Sequence, residues 1–122
     1  MLREAPEWAR AQRLRLPRQG ALEAAAQAGV PEALEALAAH HWRIGDFEAQ
    51  VALDQQRARS VPGARDPAVR LADGWLQLGR ARAALRVLAP LERAFPQDLE
   101  IRILAGLARD AAGPSDRAEQ AD

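Results

Sequence analysis

The stretch Leu71–Pro96, LADGWLQLGRARAALRVLAPLERAFP, reads as two amphipathic helices joined by a tight turn at Gly79 and stopped by Pro96. Leu71, Ala72 and Trp75, then Ala84, Leu85, Leu88 and Leu91, recur at the three- and four-residue intervals that line one face of a 3.6-residue helix. The same punctuation stands one unit earlier, at Gly45 and Pro62, and the glycine returns one unit later, at Gly113. All of these spacings are 34 residues. A fixed period of that length carrying a helix–turn–helix unit means stacked copies of one motif. A single helix pair cannot bury its apolar face alone, so neighbours must cover it.

Composition agrees. The chain has 122 residues, of which 48% are hydrophobic, enough for one small domain with a modest core. Ala, Leu, Arg, Glu and Gln dominate and favour helix, whereas few residues favour strands. There are 17 basic and 17 acidic residues, and no cysteine. Zero net charge argues against generic nucleic-acid binding, which needs a basic surplus on one face. The missing thiols exclude disulfides, thiol catalysis and thiolate metal sites. No apolar run approaches the ~20 residues of a membrane span, and MLREAPEWAR lacks a signal peptide's hydrophobic segment. Every basic residue is arginine and alanine is abundant, which fits a GC-rich bacterial genome.

In chain order, Trp8, Ala11 and Leu14 predict a helix over about 5–16, ended by Pro17. Arg3, Arg10, Arg13, Arg15 and Arg18 surround it. They read as a solvated face, or as a juxtamembrane segment following a membrane anchor in a longer protein. A short alanine-rich helix after Gly20 ends at Gly29. Pro31 opens the next helix, with Leu34, Leu37, Ala38 and His41 on one face. Asp46 caps a helix whose apolar positions are Phe47, Val51, Ala52 and Ala58. Asp66-Pro67 starts the first helix of the next unit, with Ala68, Leu71, Ala72 and Trp75 as its core face. Pro90 falls inside the second helix of that unit, where a kink is expected. The last helix follows Asp98, packs through Ile101, Leu104, Ala105 and Ala108, and ends at Gly113. Arg102 and Arg109 face the side where another repeat would dock, which reads as a C-terminal end. A disordered polar tail is expected over 114–122.

Leu71-Ala72, Trp75, Gly79, Ala84, Leu88, Phe95 and Pro96 resemble the tetratricopeptide repeat pattern. Leu37-Ala38, His41, Gly45, Phe47 and Pro62 repeat much of it, and Gly106 and Gly113 match a third, incomplete unit. AAAQAGVPEALEALA also resembles the Sel1-like variant. Gln50 departs where alanine is expected, and Arg109 where an aromatic is expected. The resemblance implies an all-α, right-handed αα superhelix of about seven helices. It would comprise an irregular N-terminal pair or cap (1–30), two repeats (31–64 and 65–98), a capping helix (99–113) and the tail. It further implies a groove lined by the first helix of each pair. By register that places Glu35, Ala39, Trp42, Arg43, Val69, Asp73, Leu76, Gln77, Ile103 and Leu107 in a partner-binding surface. Trp42 beside Arg43 has the composition of a binding hot spot. Its alternative is cover by the N-terminal helices.

The chemistry-bearing residues otherwise read as structural. His40 and His41 point ~100° apart on a helix and cannot easily share one ion, whereas a metal pair wants a spacing of three or four. Glu32 and Glu35 sit at a helix N-terminus, where they stay ionised rather than donate protons. Ser60 and Ser115 lie in loop-like stretches with no base nearby in sequence, and there is no phosphate-binding glycine loop. The reading is therefore a non-enzyme without cofactor or metal. It is a protein–protein scaffold or adaptor, cytoplasmic, with a place at the inner membrane if it is the soluble part of an anchored envelope assembly for secretion, pilus assembly or exopolysaccharide export. Two alternatives are a regulatory ligand sensor binding an anion through Arg43 and Arg70, and self-assembly through apolar end helices to give a homo-oligomer.

Overall fold

The computed structural model describes the backbone of residues 20–121 and the side chains up to Gly113. Among these residues the fold is all-α, with six helices and no strand: α1 (20–27), α2 (Pro31–Arg43), α3 (Phe47–Ser60), α4 (Arg65–Gln77), α5 (Ala81–Ala94) and α6 (Leu99–Ala121). The predicted N-terminal helix over 5–16 lies outside the described residues.

Local chemistry sets the helix ends. Pro31 occupies the first turn of α2, where its missing N–H costs nothing. The Asp46 carboxylate accepts from the Ala49 N–H at 3.3 Å and caps α3. Asp98 does the same for α6 through the Ile101 N–H at 3.2 Å. Helix α4 begins at Arg65, one residue before the predicted Asp66, on an Ala64 cap that supplies no side-chain bond.

The period of 34 reappears in the backbone. The Asp46 N–H donates to the His41 carbonyl (2.9 Å) and the Gly45 N–H to that of Trp42 (3.1 Å). Thirty-four residues on, Arg80 donates to Trp75 (2.8 Å) and Gly79 to Leu76 (3.0 Å). Gly45 (φ 80°) and Gly79 (φ 75°) sit in the left-handed region that this helix-ending motif requires. The closing turns repeat as well: Ala64 donates to Val61 and Asp98 to Phe95, both at 3.1 Å.

Helices α2 to α6 each pack on the next in sequence, and α4 also touches α6. The main core joins α4, α5 and α6 around Ala72, Ala84, Leu88, Ile101, Ala105 and Ala108, with Trp75 half-buried against it. A second cluster, Ala26, Ala33, Leu34 and Leu37, joins α1 to α2. The predicted core faces of α5 and α6 are all buried. The face predicted for α3 needs correction. Ala52 is exposed and Phe47 and Ala58 are half-buried, while the buried residues are Gln50, Val51 and Asp54. Helix α3 has turned two polar residues inward. Helix α5 runs without interruption through Pro90, which is exposed. The carbonyl that loses its partner there, that of Arg86, belongs to a residue that is itself exposed, within reach of water. At Gly113 (φ 79°, ψ 172°) α6 is broken, as predicted, but the backbone resumes as helix to Ala121 where a disordered tail was expected.

Candidate binding groove

Two adjoining recesses, of about 150 and 290 Å³, span α2, α3, α4 and the start of α6. Trp42, Asp66 and Arg70 line both. Trp42 comes from the last turn of α2 and is half-buried. Its ring stands edge-to-face on Phe47, with centroids 5.2 Å apart, so the start of α3 holds the indole as the wall between the recesses.

The floor of the first recess is polar and rigid. Gln50 and Asp54 are each 1% exposed. The Gln50 amide donates to the Asp54 carboxylate at 2.5 Å and to the Arg70 carbonyl at 3.0 Å, tying α3 to α4. Arg57 donates to Asp54 at 2.7 Å and reaches within 3.9 Å of Glu35 on α2. Helix α4 fits over this floor because it carries Gly74. A Cβ there would stand 2.6 Å from Val51 Cγ2 and 2.9 Å from Gln50 Cδ, closer than real contacts allow.

The second recess is organised by Arg65. Its guanidinium donates to Asp98 at 2.5 and 3.1 Å, to Glu100 at 2.7 Å and to Asp66 at 2.8 Å, stapling the start of α4 to that of α6. The three carboxylates raise the Arg65 pKa above its already high value, the Asp98 bond contributing most. In return Arg65 holds Asp98 below the usual carboxylate range. Asp73 is pushed up, chiefly by burial and then by the nearby charge of Glu100, with Arg70 opposing. Glu35, Asp54, Asp66, Asp73 and Glu100 line the recesses against Arg57, Arg65 and Arg70, an excess of two carboxylates.

Of the ten residues that the repeat register places in the groove, Glu35, Ala39, Trp42, Val69 and Asp73 line these recesses. The other five lie elsewhere. Leu76 is half-buried and packs against the α4–α6 core. Arg43 and Gln77 are exposed, as are Ile103 and Leu107, which stand on α6 beyond Glu100. Gln50, Asp54, Arg57, Arg65, Asp66, Arg70 and Glu100 were not in that set. The first three fall at i, i+4 and i+7, one helix face, and that spacing was the available signal.

His41 Nδ1 is 3.5 Å from Asp46, and the His40 and His41 rings meet edge-on with centroids 5.3 Å apart. Among the described residues no three His, Cys, Asp or Glu side chains could hold a metal ion, and no helix is long and apolar enough to cross a membrane. Comparison with protein families, characterised proteins and solved structures returns no match.

Proposed function

We propose that the protein is a non-catalytic interaction scaffold of tetratricopeptide type, in which the face shared by α2, α4 and α6 is the concave side of a short superhelix and takes a segment of a protein partner. The observation that carries this reading is the groove itself. An aromatic wall, Trp42, stands between two polar recesses that are open along the helix array. The 34-residue recurrence of turn hydrogen bonds supports the repeat assignment. A rigid floor beneath a half-buried Trp ringed by charge has the build of a recognition surface. Arg57 and Arg65 are engaged by neighbouring carboxylates as structural ion pairs, which favours a reading of binding over catalysis.

A host among bacterial envelope assemblies for secretion, pilus formation or exopolysaccharide export is a narrower proposal that rests on the tetratricopeptide resemblance alone. An anion-sensing role is less well supported. Arg70 stands among Asp66 and Asp73, and Arg43 lines neither recess.

The test is capture of partners from bacterial lysate with the full chain as bait, repeated with Trp42→Ala and Asp73→Arg. The reading predicts loss of the same specific partner with both variants while circular dichroism stays unchanged. Retention of every partner at unchanged affinity by two folded variants would overturn it.

A further inference from the structure

Helix α6 carries an apolar face that none of the described residues covers. Leu99, Ile103 and Leu107 are 67, 53 and 55% exposed, the other side of the helix being filled by Ile101, Leu104, Ala105 and Ala108. Leu99, Ile103, Gly106 and Asp110 follow one another at four, three and four residues. That is the spacing of a straight seam for packing against another helix.

Gly106 sits in the middle of this seam. Glycine is the poorest residue for a helix interior after proline. Elsewhere in the fold a helical glycine has a reason: Gly74 admits α3. Gly106 has none among the described residues, since a Cβ there would meet nothing within 4 Å. What a bare Cα provides on this side of the helix is close approach by a second helix.

The charges beside the seam identify that helix. Arg102 stands four residues before Gly106 and Asp110 four residues after it. Both are exposed, and neither makes an ion pair within the described residues. In an antiparallel pair crossing at Gly106, each residue faces the one equally far on the other side of the crossing. Arg102 of one copy then meets Asp110 of the other, twice by symmetry. The seam is complementary to itself, as a two-fold interface must be. By the same rule Arg109 lies opposite Ile103 of the other copy; its guanidinium is committed to Glu92 on α5, which leaves its aliphatic stem to cover that side chain.

We propose that α6 is a self-association surface: two copies pack α6 against α6, antiparallel, crossing at Gly106, with Ile103 buried beside the crossing, Arg102–Asp110 pairs on either side and Leu99 farther out along the seam. None of these residues lines either recess of the groove.

Sedimentation of the full chain across a concentration series tests the proposal. The wild type should show a concentration-dependent monomer–dimer equilibrium. Gly106→Gln should abolish the dimer and, measured where the wild type is monomeric, raise Tm by roughly 3–6 °C, because glutamine is the better helix former. A merely structural glycine would not move these two readouts in opposite directions. Arg102→Asp and Asp110→Arg should each weaken association about tenfold by placing like charges together, and the double variant should restore it. A wild type that stays monomeric to its solubility limit overturns the proposal. So does a dimer indifferent to Gly106→Gln, or a double charge swap no tighter than either single one.

Discussion

Alanine at Gly74 is the sharpest probe of how α3 and α4 meet. On helix propensity alone the change should stabilise the protein by about 1 kcal/mol. The structure reverses the sign. The new methyl would stand 2.6 Å from Val51 Cγ2 and 2.9 Å from Gln50 Cδ. Neither neighbour can give way easily. Val51 is 4% exposed and stiff at its branched Cβ, and the Gln50 amide is held by Asp54 and the Arg70 carbonyl. Overpacking of this kind costs about 1–3 kcal/mol. Displacing the amide leaves buried acceptors unsatisfied, at about 1–3 kcal/mol more. Set against the propensity gain, the net loss centres near 3 kcal/mol, a fall of roughly 10–15 °C in Tm for a chain of this size. Urea denaturation with an unchanged m-value is the assay. Gly106→Ala, where the methyl meets open space, is the control and should gain about 1 kcal/mol. In a Gln50→Ala background the damage from Gly74→Ala should shrink by at least ~1 kcal/mol. A Gly74→Ala protein as stable as the wild type would refute the close crossing.

Three further outcomes follow from the site and the helices. Asp73 has a folded pKa raised above its unfolded one, so its ionisation opposes folding. Stability falls as pH climbs from the ordinary carboxylate range through the raised value. Asp73→Asn should therefore stabilise at pH 7 and give no gain at pH 3, read from paired denaturation curves. Arg65→Ala should destabilise by freeing Asp66, Asp98 and Glu100 to repel one another, and the deficit should narrow in high salt. Pro90→Ala, at an exposed position inside α5, should raise stability by about 1–3 kcal/mol in thermal melts, since it restores a helix hydrogen bond.

The period was readable because glycines in the left-handed region and helix-ending prolines leave a signature that depends little on context. Gly45 and Gly79 end helices with the same pairs of hydrogen bonds, and apolar spacing in α5 and α6 located their buried faces without error. The groove was half readable. Register finds residues that share a helix face, and it placed Trp42, Val69 and Asp73. It could not find Gln50, Asp54 or Arg57, because hydrophobic periodicity assigns polar residues to solvent. Their shared helix face was legible from spacing, but that Gln50 and Asp54 point inward is shown only by the Gln50 contacts with Gly74, Asp54 and the Arg70 carbonyl. Arg65 was invisible for another reason: its partners Asp98 and Glu100 lie one full repeat away, a contact that tertiary packing alone creates.

The two repeats solve the same packing problem with different chemistry, and the difference predicts how the protein opens. Gln50 and Asp54 occupy the register positions of Ala84 and Leu88, and Gly74 that of Ala108. All six are buried. Between α5 and α6, alanine faces alanine beside a leucine. Between α3 and α4, glutamine faces glycine beside an aspartate, so the larger side chain is matched by the smaller. The apolar core is consequently split, with α1–α2 on one side of this polar seam and α4–α6 on the other. Amide exchange should report two tiers, with α1–α3 opening at lower free energy than α4–α6. Carrying the second solution into the first, as Gln50→Ala with Asp54→Leu and Gly74→Ala, should merge the tiers and add about 1–3 kcal/mol, since replacing a buried ionic network with well-packed apolar groups is often stabilising. A triple variant as damaged as Gly74→Ala alone would mean that the two interfaces are not equivalent. Gln50 and Asp54 also floor the first recess and hold Arg57 in it. The same variant should therefore lose partner binding as it gains stability, the trade expected where a polar seam is kept for recognition rather than for folding.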